Sequence, residues 1–297
     1  MKRGYLIFNP SAGARAKTPT TVQAVVKQFA SHKIEIIPAP TQPDGSVIPQ
    51  VQEIVKEKPD LIVAWGGDGT INEVVNGMFK CEIPLGILPG GTANLMVREL
   101  NLPQNTLKAV DLIGTGVLRR ISVGQANQRY FLLMVGIGFD SAVIRNVNMG
   151  LKRRFGKLAF AISALHTAVN YGFPKFQVQY DGEQSDCVFA VICNARHYAA
   201  YFVLTPEADI SDEYLYLCLF KDPGLARLCR YAFHALRRTH LHLPSVQLIR
   251  AKNVLVMGSD SVAVQADGEL VGLLPLEFTV HPRCLEVFSP SSKASSR

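Results

Sequence analysis

Residues 61–72, LIVAWGGDGTIN, decide the fold: an apolar run leads into Gly66-Gly67-Asp68-Gly69-Thr70, and a helical pattern follows. Glycines at a strand end allow a sharp turn and expose backbone N–H groups to a phosphate, and the positive end of the next helix dipole strengthens that attraction. Asp68 would repel a phosphate, so we expect it to act through Mg²⁺ or a Mg²⁺-bound water. The alternative is a structural turn, with Thr70 as the helix N-cap and Glu73 closing a capping box. Because a turn does not need three glycines, the stretch predicts a phosphate-binding loop.

The chain around this loop alternates short apolar runs with longer helical patterns. Nearly continuous apolar strands separated by helices indicate a parallel sheet covered on both faces, and such sheets bind ligands beyond the carboxyl ends of their strands. We therefore predict an α/β domain over residues 1–116. Its predicted strands are residues 5–8, 34–38, 61–65 and 85–88, and its predicted helices are residues 20–31, 47–58, 70–79, 93–100 and 105–113.

From residue 117 onward, strands follow one another with little helix between them and are joined by turns such as Tyr180-Asp181-Gly182. This pattern is typical of an antiparallel β-sandwich or barrel, and we predict a second domain over residues 117–288. Residues 289–297, rich in Ser and Lys, are expected to form a flexible tail. The predicted strands are residues 120–125, 130–136, 176–180, 187–194, 214–220, 246–249, 253–257, 262–266 and 277–281, and two helices are predicted at residues 157–170 and 225–238.

Composition places the chain among globular proteins, since 48% of its 297 residues are hydrophobic and 19% are charged. The six cysteines form no Cys-x-x-Cys pair, which argues against a zinc site or a disulfide framework and favours buried thiols in a reducing compartment. The apolar runs at residues 5–8 and 130–139 are too short for a signal peptide or a membrane span, so we expect a soluble, cytoplasmic protein. The net charge of +7 suits anionic partners, but no recognition motif for nucleic acid is present.

Two further loops follow other strands of the α/β domain. Asn9-Pro10-Ser11-Ala12-Gly13 comes after the first strand, and Pro89-Gly90-Gly91-Thr92-Ala93-Asn94 comes after the fourth. Small residues with amide and hydroxyl groups at strand ends suit a nucleotide that lies across the sheet edge. The sequence has neither the P-loop nor the Rossmann glycine pattern, so neither of those nucleotide sites is predicted.

These loops, with residues 66–77 (GGDGTINEVVNG), 85–95 (LGILPGGTANL) and 136–140 (GIGFD), resemble the catalytic domain of the diacylglycerol kinase family, which includes bacterial lipid kinases and the sphingosine and ceramide kinases. The resemblance extends from the first strand to about Val287. It implies an N-terminal nucleotide domain and a C-terminal β-sandwich that supplies the acceptor site, with ATP as phosphate donor, Mg²⁺ as cofactor and a lipid alcohol as acceptor. The Gly-Gly-Asp-Gly core is shared with NAD kinases and phosphofructokinases, so the core alone does not identify the acceptor.

Matched residue by residue, the resemblance implies an ATP site in the loops of the first domain. Thr41 belongs to this set, although Thr-Gln-Pro-Asp-Gly at residues 41–45 reads equally well as a turn. The implied ATP-contacting residues are Asn9, Pro10, Ser11, Ala12, Gly13, Thr41, Gly66, Gly67, Asp68, Gly69, Thr70, Ile71, Asn72 and Thr92.

The resemblance also points to the carboxylates of Asp267-Gly268-Glu269 for removal of the acceptor proton. Phosphoryl transfer depends mostly on positioning and charge neutralisation, with a carboxylate near the attacking oxygen to take its proton. An Asp-Gly pair between two strands is also the commonest hairpin signal. Because Glu269 places a second carboxylate at the bend, we predict Glu269 as the base, with Asp267 as the second candidate.

Asp140 resembles the family aspartate that faces the glycine-rich loop, and it would share a water-bound Mg²⁺ with Asp68. The alternative makes Asp140 the N-cap of a helix over residues 141–147.

A second metal site is implied by Asp209, Asp212 and the backbone of Tyr214, which resemble a structural Mg²⁺ site of the bacterial lipid kinases. The chain departs from the family pattern here. Glu213 stands where glycine is usual, and Tyr198-Ala199-Ala200-Tyr201 replaces a glycine-rich stretch. These departures concern the second metal site and not the motifs that carry the resemblance to the kinase fold.

Two basic segments with apolar neighbours suit transient contact with an anionic membrane, and a solvated basic face is the alternative for both. They are Lys152-Arg153-Arg154-Phe155 and the predicted helix that carries Arg227, Arg230, Arg237 and Arg238.

Other residues have simpler interpretations, and two other functions stay open. His234, His240 and His242 lack evident metal-ligand partners and are interpreted as surface or hydrogen-bonded histidines, and Trp65 as a core residue.

The sequence leaves the oligomeric state open, a homodimer included. The alternatives to a lipid kinase are a kinase of a polar acceptor such as NAD, and a nucleotide- or lipid-binding protein without catalysis.

Overall fold

The computed structural model describes residues 1–10, 20–42, 47–146, 167, 169–198 and 202–290. These ranges divide into two compact units, one of Met1–Ser122 with the chain from Arg283 onward, and one of Val123–Pro282. The predicted domain boundaries, after residues 116 and 288, lie six residues from these divisions in each case. Several predicted features lie outside the described residues: Ser11, Ala12 and Gly13, the basic segment 152–155, residues 199–201, most of the predicted helix 157–170, and the tail from residue 291.

The first unit alternates strands and helices. Its elements are β1 (Lys2–Phe8), α1 (Val22–Ser31), β2 (Ile34–Pro40), α2 (Val47–Lys56), β3 (Leu61–Gly66), α3 (Asp68–Met78), β4 (Leu85–Pro89), α4 (Leu95–Glu99) and α5 (Thr106–Thr115). The strands lie in the order β2-β1-β3-β4, and all three pairs are parallel. β3 is buried along its whole length, as expected for a strand covered on both faces. The predicted α/β domain with a parallel sheet is confirmed.

Within the described residues, the second unit contains two large antiparallel sheets and a separate two-stranded one. Its elements, including two strands that begin or end in the first unit, are β5 (Val117–Ala126), β6 (Arg129–Phe131), β7 (Met134–Ile137), α6 (Phe139–Asn146), β8 (Phe176–Tyr180), β9 (Glu183–Cys187), β10 (Phe189–Cys193), β11 (His197–Tyr198), β12 (Phe202–Val203), β13 (Leu215–Phe220), α7 (Leu225–Leu236), a 3₁₀ turn (His240–His242), β14 (Val246–Ala251), β15 (Asn253–Met257), β16 (Ala263–Ala266), β17 (Glu269–Leu273) and β18 (Leu276–Ser289). One sheet has the order β14-β13-β10-β7-β16-β17, and β18-β15-β8-β9 belong to the other. Side chains from both sheets, such as Ile192, Val264, Val178 and Phe278, form one core. The predicted β-sandwich is confirmed.

The end of the chain returns to the first unit. Val287, near the end of β18, pairs in parallel with Leu85 of β4. Phe288 lies in the same apolar core as Phe29 of α1 and Val110 of α5. The sheet of the first unit therefore contains a strand from the far end of the sequence.

The predicted single strand over residues 130–136 is wrong, because the chain breaks between β6 and β7 at Leu132 and Leu133. The amides of these two residues donate to the carboxylate of Asp267 at 2.7 and 3.0 Å instead of joining a strand ladder. β6 and β7 consequently belong to different sheets.

The sequence pattern does not predict β9 and β17. Each is an edge strand of its sheet. Most of the residues in both strands are exposed or half-exposed. Edge strands of this kind lack the alternation of apolar and polar residues by which a half-buried strand is recognised.

Buried polar and thiol side chains follow the expectations only in part. Trp65 is buried and its Nε1–H donates to the Pro89 carbonyl, and His240 lies with Nε2 2.8 Å from the Leu204 carbonyl. Cys229 and Cys284 are exposed, so the prediction of buried thiols is wrong for these two.

Within the described ranges, no helix is both long enough and apolar enough to cross a membrane.

Candidate functional site

The carboxyl ends of β1 to β4 lie at one edge of the first unit's sheet. Phe8 pairs with Pro40 and with Trp65, and Gly66 pairs with Pro89, so the strands end level with one another. The four loops that carry Asn9 and Pro10, Thr41, Gly67 and Thr92 therefore leave the sheet at this edge. Thr41 is fixed there by its N–H, which donates to the Phe8 carbonyl at 2.8 Å. The structure thus gathers the described part of the predicted ATP set.

The loops after β3 and β4 touch through their glycines. The Gly90 N–H donates to the Gly66 carbonyl at 2.9 Å, and a Cβ atom on Gly91 would lie 2.5 Å from the Cα atom of Gly67. A side chain at Gly91 would therefore collide with backbone, which cannot shift cheaply. The glycines are needed for this contact between loops as well as for the approach of a phosphate.

Helix α3 begins earlier than the sequence predicts. Its N-cap is Gly67 and its first residue is Asp68, so Thr70 lies inside the first turn and the predicted capping box is wrong. Gly67 has no side chain that could accept from the amides of that turn, and the Asp68 amide donates to its own carboxylate. Ile71 and Asn72 are buried, and the Asn72 amide oxygen accepts from Asn76, so their side chains support the helix.

Asp68 connects the start of α3 to α4. Its Oδ1 atom accepts from the Met96 N–H at 3.1 Å. Burial raises the pKa of Asp68, while hydrogen bonds from the amides of Met96, Leu95 and Asp68 itself, and the charge of Arg98, work in the opposite direction. Asp68 therefore has a structural role that the local sequence does not reveal, in addition to any role toward a cation.

In the second unit, Asp267 and Gly268 form the two-residue turn between β16 and β17. Their φ angles are 48° and 92°, and Ala266 pairs with Glu269 across the turn. The carboxylate of Asp267 accepts from the amides of Leu132, Leu133 and Met134 at 2.7, 3.0 and 3.0 Å. Asp267 thus holds the β6–β7 break and the hairpin together, which is a structural role.

Asp267→Ala should lower the free energy of unfolding by about 2–4 kcal/mol, because three amides would lose a charged acceptor. A matched control exists in the β8–β9 hairpin, where Asp181 occupies the same turn position with a φ of 44°. Its carboxylate accepts only from the backbone amides of Lys252 and Asn253, at 3.3 and 3.4 Å. Urea titrations should show a cost below about 1 kcal/mol for Asp181→Ala, and equal costs for both variants would contradict the structural role of Asp267.

Glu269 begins β17 and is more exposed than Asp267. Its side chain is 46% exposed, and Oε2 lies 2.8 Å from Nη2 of Arg129. Arg129, which the sequence analysis does not identify, fixes the direction of this carboxylate.

Asp140 lies in the first turn of α6, whose first residue is Phe139, so the alternative role as N-cap is wrong. Its Oδ2 atom accepts from Nε2 of Gln265 at 2.6 Å, and the Tyr198 hydroxyl also donates to the carboxylate. Gln265 is fully buried, and its Oε1 atom accepts from the Gly268 N–H at 2.8 Å. One buried amide therefore links Asp140 to the turn that precedes Glu269, and no local signal identifies Gln265.

Asp140→Asn should leave the protein at least as stable as the parent chain above the pKa of Asp140, which burial raises above its ordinary value of 3.8. Between the ordinary and the raised value the folded chain holds a proton that the unfolded chain has lost, so the parent's free energy of unfolding falls as the pH rises. Asparagine carries no such proton. Urea titrations in EDTA at about pH 4, close to the ordinary value, and at about pH 8 should show the advantage of the variant growing with pH, and a shrinking advantage would contradict the burial cost.

Asp209 and Asp212 lie in one loop, and their carboxylates bond within it. Asp209 Oδ1 accepts from the Ser211 N–H at 2.8 Å, Asp212 Oδ1 accepts from the Glu213 N–H at 2.7 Å, and Asp212 Oδ2 accepts from the Tyr216 hydroxyl at 2.6 Å. Burial and this last bond raise the pKa of Tyr216 to about 12.

The ring of Tyr214 lies beside two cations, with Arg250 and Lys252 5.3 and 5.0 Å from its centroid. Across the described part of the chain, no three His, Cys, Asp or Glu side chains are grouped to hold a metal. A metal at Asp209, Asp212 and Tyr214 stays a prediction.

Two family models match the chain in sequence order. The diacylglycerol kinase catalytic domain matches residues 3–126, and the YegS C-terminal NAD kinase beta sandwich-like domain matches residues 133–289.

Similar proteins extend over the whole chain. The diacylglycerol kinase of Bacillus subtilis (strain 168) is 31% identical over an alignment of 299 positions, which covers 99% of this chain and 98% of the relative. The diacylglycerol kinase of Staphylococcus saprophyticus is 29% identical over 294 residues, which cover 98% and 96% of the two chains. The crystal structure of a diacylglycerol kinase from Bacillus anthracis str. Sterne matches with a TM-score of 0.78 and 23% identity over 99% of both chains, a likeness of fold.

Proposed function

The chain belongs to the diacylglycerol kinase family, and on that premise we propose that it is a lipid kinase that transfers the γ-phosphate of ATP to a hydroxyl of diacylglycerol or a related lipid alcohol. The observation that carries the proposal is the full-length match to curated relatives with that name, at 31% identity over 98% of the relative. The alternatives, a polar acceptor such as NAD and a protein without catalysis, are not favoured, because the relatives named above are diacylglycerol kinases.

The first unit supports ATP binding through its glycine-rich edge. The N-terminal amides of α3 and the exposed loop at Gly91 and Thr92 offer donors for phosphate oxygens. Asn9, Pro10 and Thr41 flank them at the same edge, where they can contact the rest of the nucleotide. This arrangement accounts for affinity toward ATP rather than for the choice of acceptor.

In the second unit, Glu269 is proposed as the base that takes the proton of the acceptor hydroxyl. The hydroxyl oxygen then forms its bond to the γ-phosphorus, the bond from phosphorus to the bridging oxygen of ADP breaks, and the proton stays on Glu269. Arg129 orients the carboxylate. Asp267 is the weaker candidate for this role, because its oxygens already accept three amides.

Asp68 and Asp140 are each suited to hold a divalent cation. Burial disfavours the charge of both carboxylates, as their raised pKa values show, and a cation would remove that penalty. Oxygen ligands of this kind suit Mg²⁺, which would neutralise charge on the phosphate oxygens when bound. Their structural contacts, to Met96 and to Gln265, would keep each carboxylate in place.

Transfer of radiolabelled phosphate from ATP into a total lipid extract, with identification of the labelled product, tests the proposed activity. Parallel reactions contain NAD and other polar acceptors. Label in phosphatidic acid or a related lipid phosphate supports the proposal. Label only in a polar acceptor, or ATP binding without any labelled product, overturns it.

A further inference from the structure

The outer face of α7 is apolar along one side. Leu225, Phe233 and Leu236 are 40%, 55% and 61% exposed, and Cys229 between them is exposed as well. At 3.6 residues per turn these four positions line one side of the helix. Three large apolar side chains on one short helix face form a patch rather than the scattered exposure normal for a surface.

The adjoining side of the same helix is cationic. Arg227, Arg230, Arg237 and Arg238 are all exposed, and residues 225–238 contain no Asp or Glu. The guanidinium of Arg237 lies over the Phe233 ring, 5.6 Å from its centroid, so the two sides of the face meet. Among the described acidic groups, Asp222 approaches Arg227, at 3.7 Å from Nε.

The inner side of α7 is firmly attached to the second unit. Tyr231 is buried, and its ring lies 4.9 Å from that of Phe220 in β13. The Tyr231 hydroxyl donates to Ser245 at 3.0 Å and accepts from the Asp222 N–H at 3.1 Å. These contacts of its inner side therefore hold α7, and with it the outer face, in a fixed position on the second unit.

We propose that this outer face of α7 docks the protein on an anionic lipid bilayer, with the apolar side inserted among the acyl chains and the arginines against the headgroups. The inference rests on the proposed function, because a lipid alcohol resides in a membrane. An interfacial helix combines these two sides, and each arginine near an anionic surface adds attraction. A symmetric contact with a second copy of the chain would bury the arginines of both faces in one interface, and residues 225–238 supply no acidic partner for them.

Vesicle sedimentation tests the proposal directly. The wild-type chain should bind vesicles of phosphatidylglycerol and phosphatidylcholine and bind pure phosphatidylcholine vesicles much less. The double variant Phe233→Ser/Leu236→Ser, and Arg230→Glu separately, should weaken binding to anionic vesicles roughly tenfold or more. Leu118→Ser is a matched control, because Leu118 of β5 is 48% exposed and belongs to the first unit.

A label at Cys229 gives a second measurement that does not depend on a loss of binding. An environment-sensitive fluorophore on Cys229, in a Cys284→Ser background, should shift to shorter wavelength when anionic vesicles are added. The same fluorophore on Cys284, in a Cys229→Ser background, should not shift. Cys81 is half-buried, so labelling of the variant that lacks both exposed thiols gives the background.

Kinase activity toward a short-chain diacylglycerol dispersed in detergent separates this proposal from the proposed function. Variants of α7 that keep this activity but lose vesicle binding support the docking surface. Unchanged vesicle binding by the α7 variants overturns it, and so does a dimer in sedimentation velocity that Phe233→Ser dissociates. Vesicle binding through α7 without activity on any lipid would overturn the lipid kinase and leave the docking surface standing.

Discussion

Glu269→Gln should lower the rate of phosphate transfer by about 10²–10⁴-fold, the contribution expected of a positioned general base. Glutamine has nearly the same shape and can still accept a hydrogen bond from Arg129, but it cannot hold the proton of the acceptor hydroxyl. Because Glu269 is half-exposed on an edge strand, the substitution should change neither the urea midpoint nor the affinity for ATP. Single-turnover transfer from labelled ATP measures the loss of rate.

The chain supplies its own control for this substitution. Asp181-Gly182-Glu183 repeats the Asp-Gly-Glu order of residues 267–269, and Asp181 and Gly182 adopt nearly the same φ angles, 44° and 91°. Glu183 also begins a strand directly after its turn and is exposed. Glu183→Gln should keep the full rate. A Glu269→Gln variant with near-normal turnover would remove Glu269 from the role of base.

Replacement of Asp68 should lower the rate of phosphate transfer strongly, and two different substitutions separate the effect of its charge from that of its structural contact. Asp68→Asn keeps an oxygen that can accept from the Met96 N–H but removes the negative charge. We expect a loss of at least about 10²-fold in rate, because stabilisation of charge on the phosphates contributes strongly to catalysis of phosphate transfer. The free energy of unfolding of Asp68→Asn should match or exceed that of the parent, since burial disfavours the charge.

Asp68→Ala should lose the same activity and, in addition, about 1–3 kcal/mol of stability, because the Met96 amide would lose its acceptor. Transfer assays give the rates of both variants, and urea titrations give their free energies of unfolding. Full activity in Asp68→Asn would exclude a role of the charge in catalysis and leave Asp68 as a structural residue only.

The elements around the glycine-rich loop could be predicted because their signals are local. The apolar strands β1 to β4 and the loops after them are contiguous in sequence, and parallel pairing brings strand ends to one edge by a general rule. The start of α3 is an exception. Thr70 is the residue with cap chemistry, but the chain turns into the helix at Gly67, where backbone freedom outweighs a side-chain cap.

The connections within the second unit could not be predicted, because each joins residues far apart in sequence. Asp140 and Gln265 are 125 positions apart, and Arg129 and Glu269 are 140 apart. Gln265 lies in a buried strand, where an apolar residue would fit the sequence pattern of the strand equally well. The presence of glutamine at this position is therefore explained only by its hydrogen-bond partners. The three amides that donate to Asp267 belong to a segment that has the pattern of an ordinary strand.

Because the chain returns to the first unit after the second unit, the first unit cannot be completed until the second unit has been synthesised. Residues 1–122 are synthesised before the second unit, whereas the strand segment with Val287 and the core side chain Phe288 are synthesised after it. Until they arrive, the edge of β4 lacks its parallel neighbour and the core between α1 and α5 lacks an aromatic side chain. An open strand edge of this kind is a template for pairing with other chains, so aggregation through β4 competes with folding until the residues of β18 have been made.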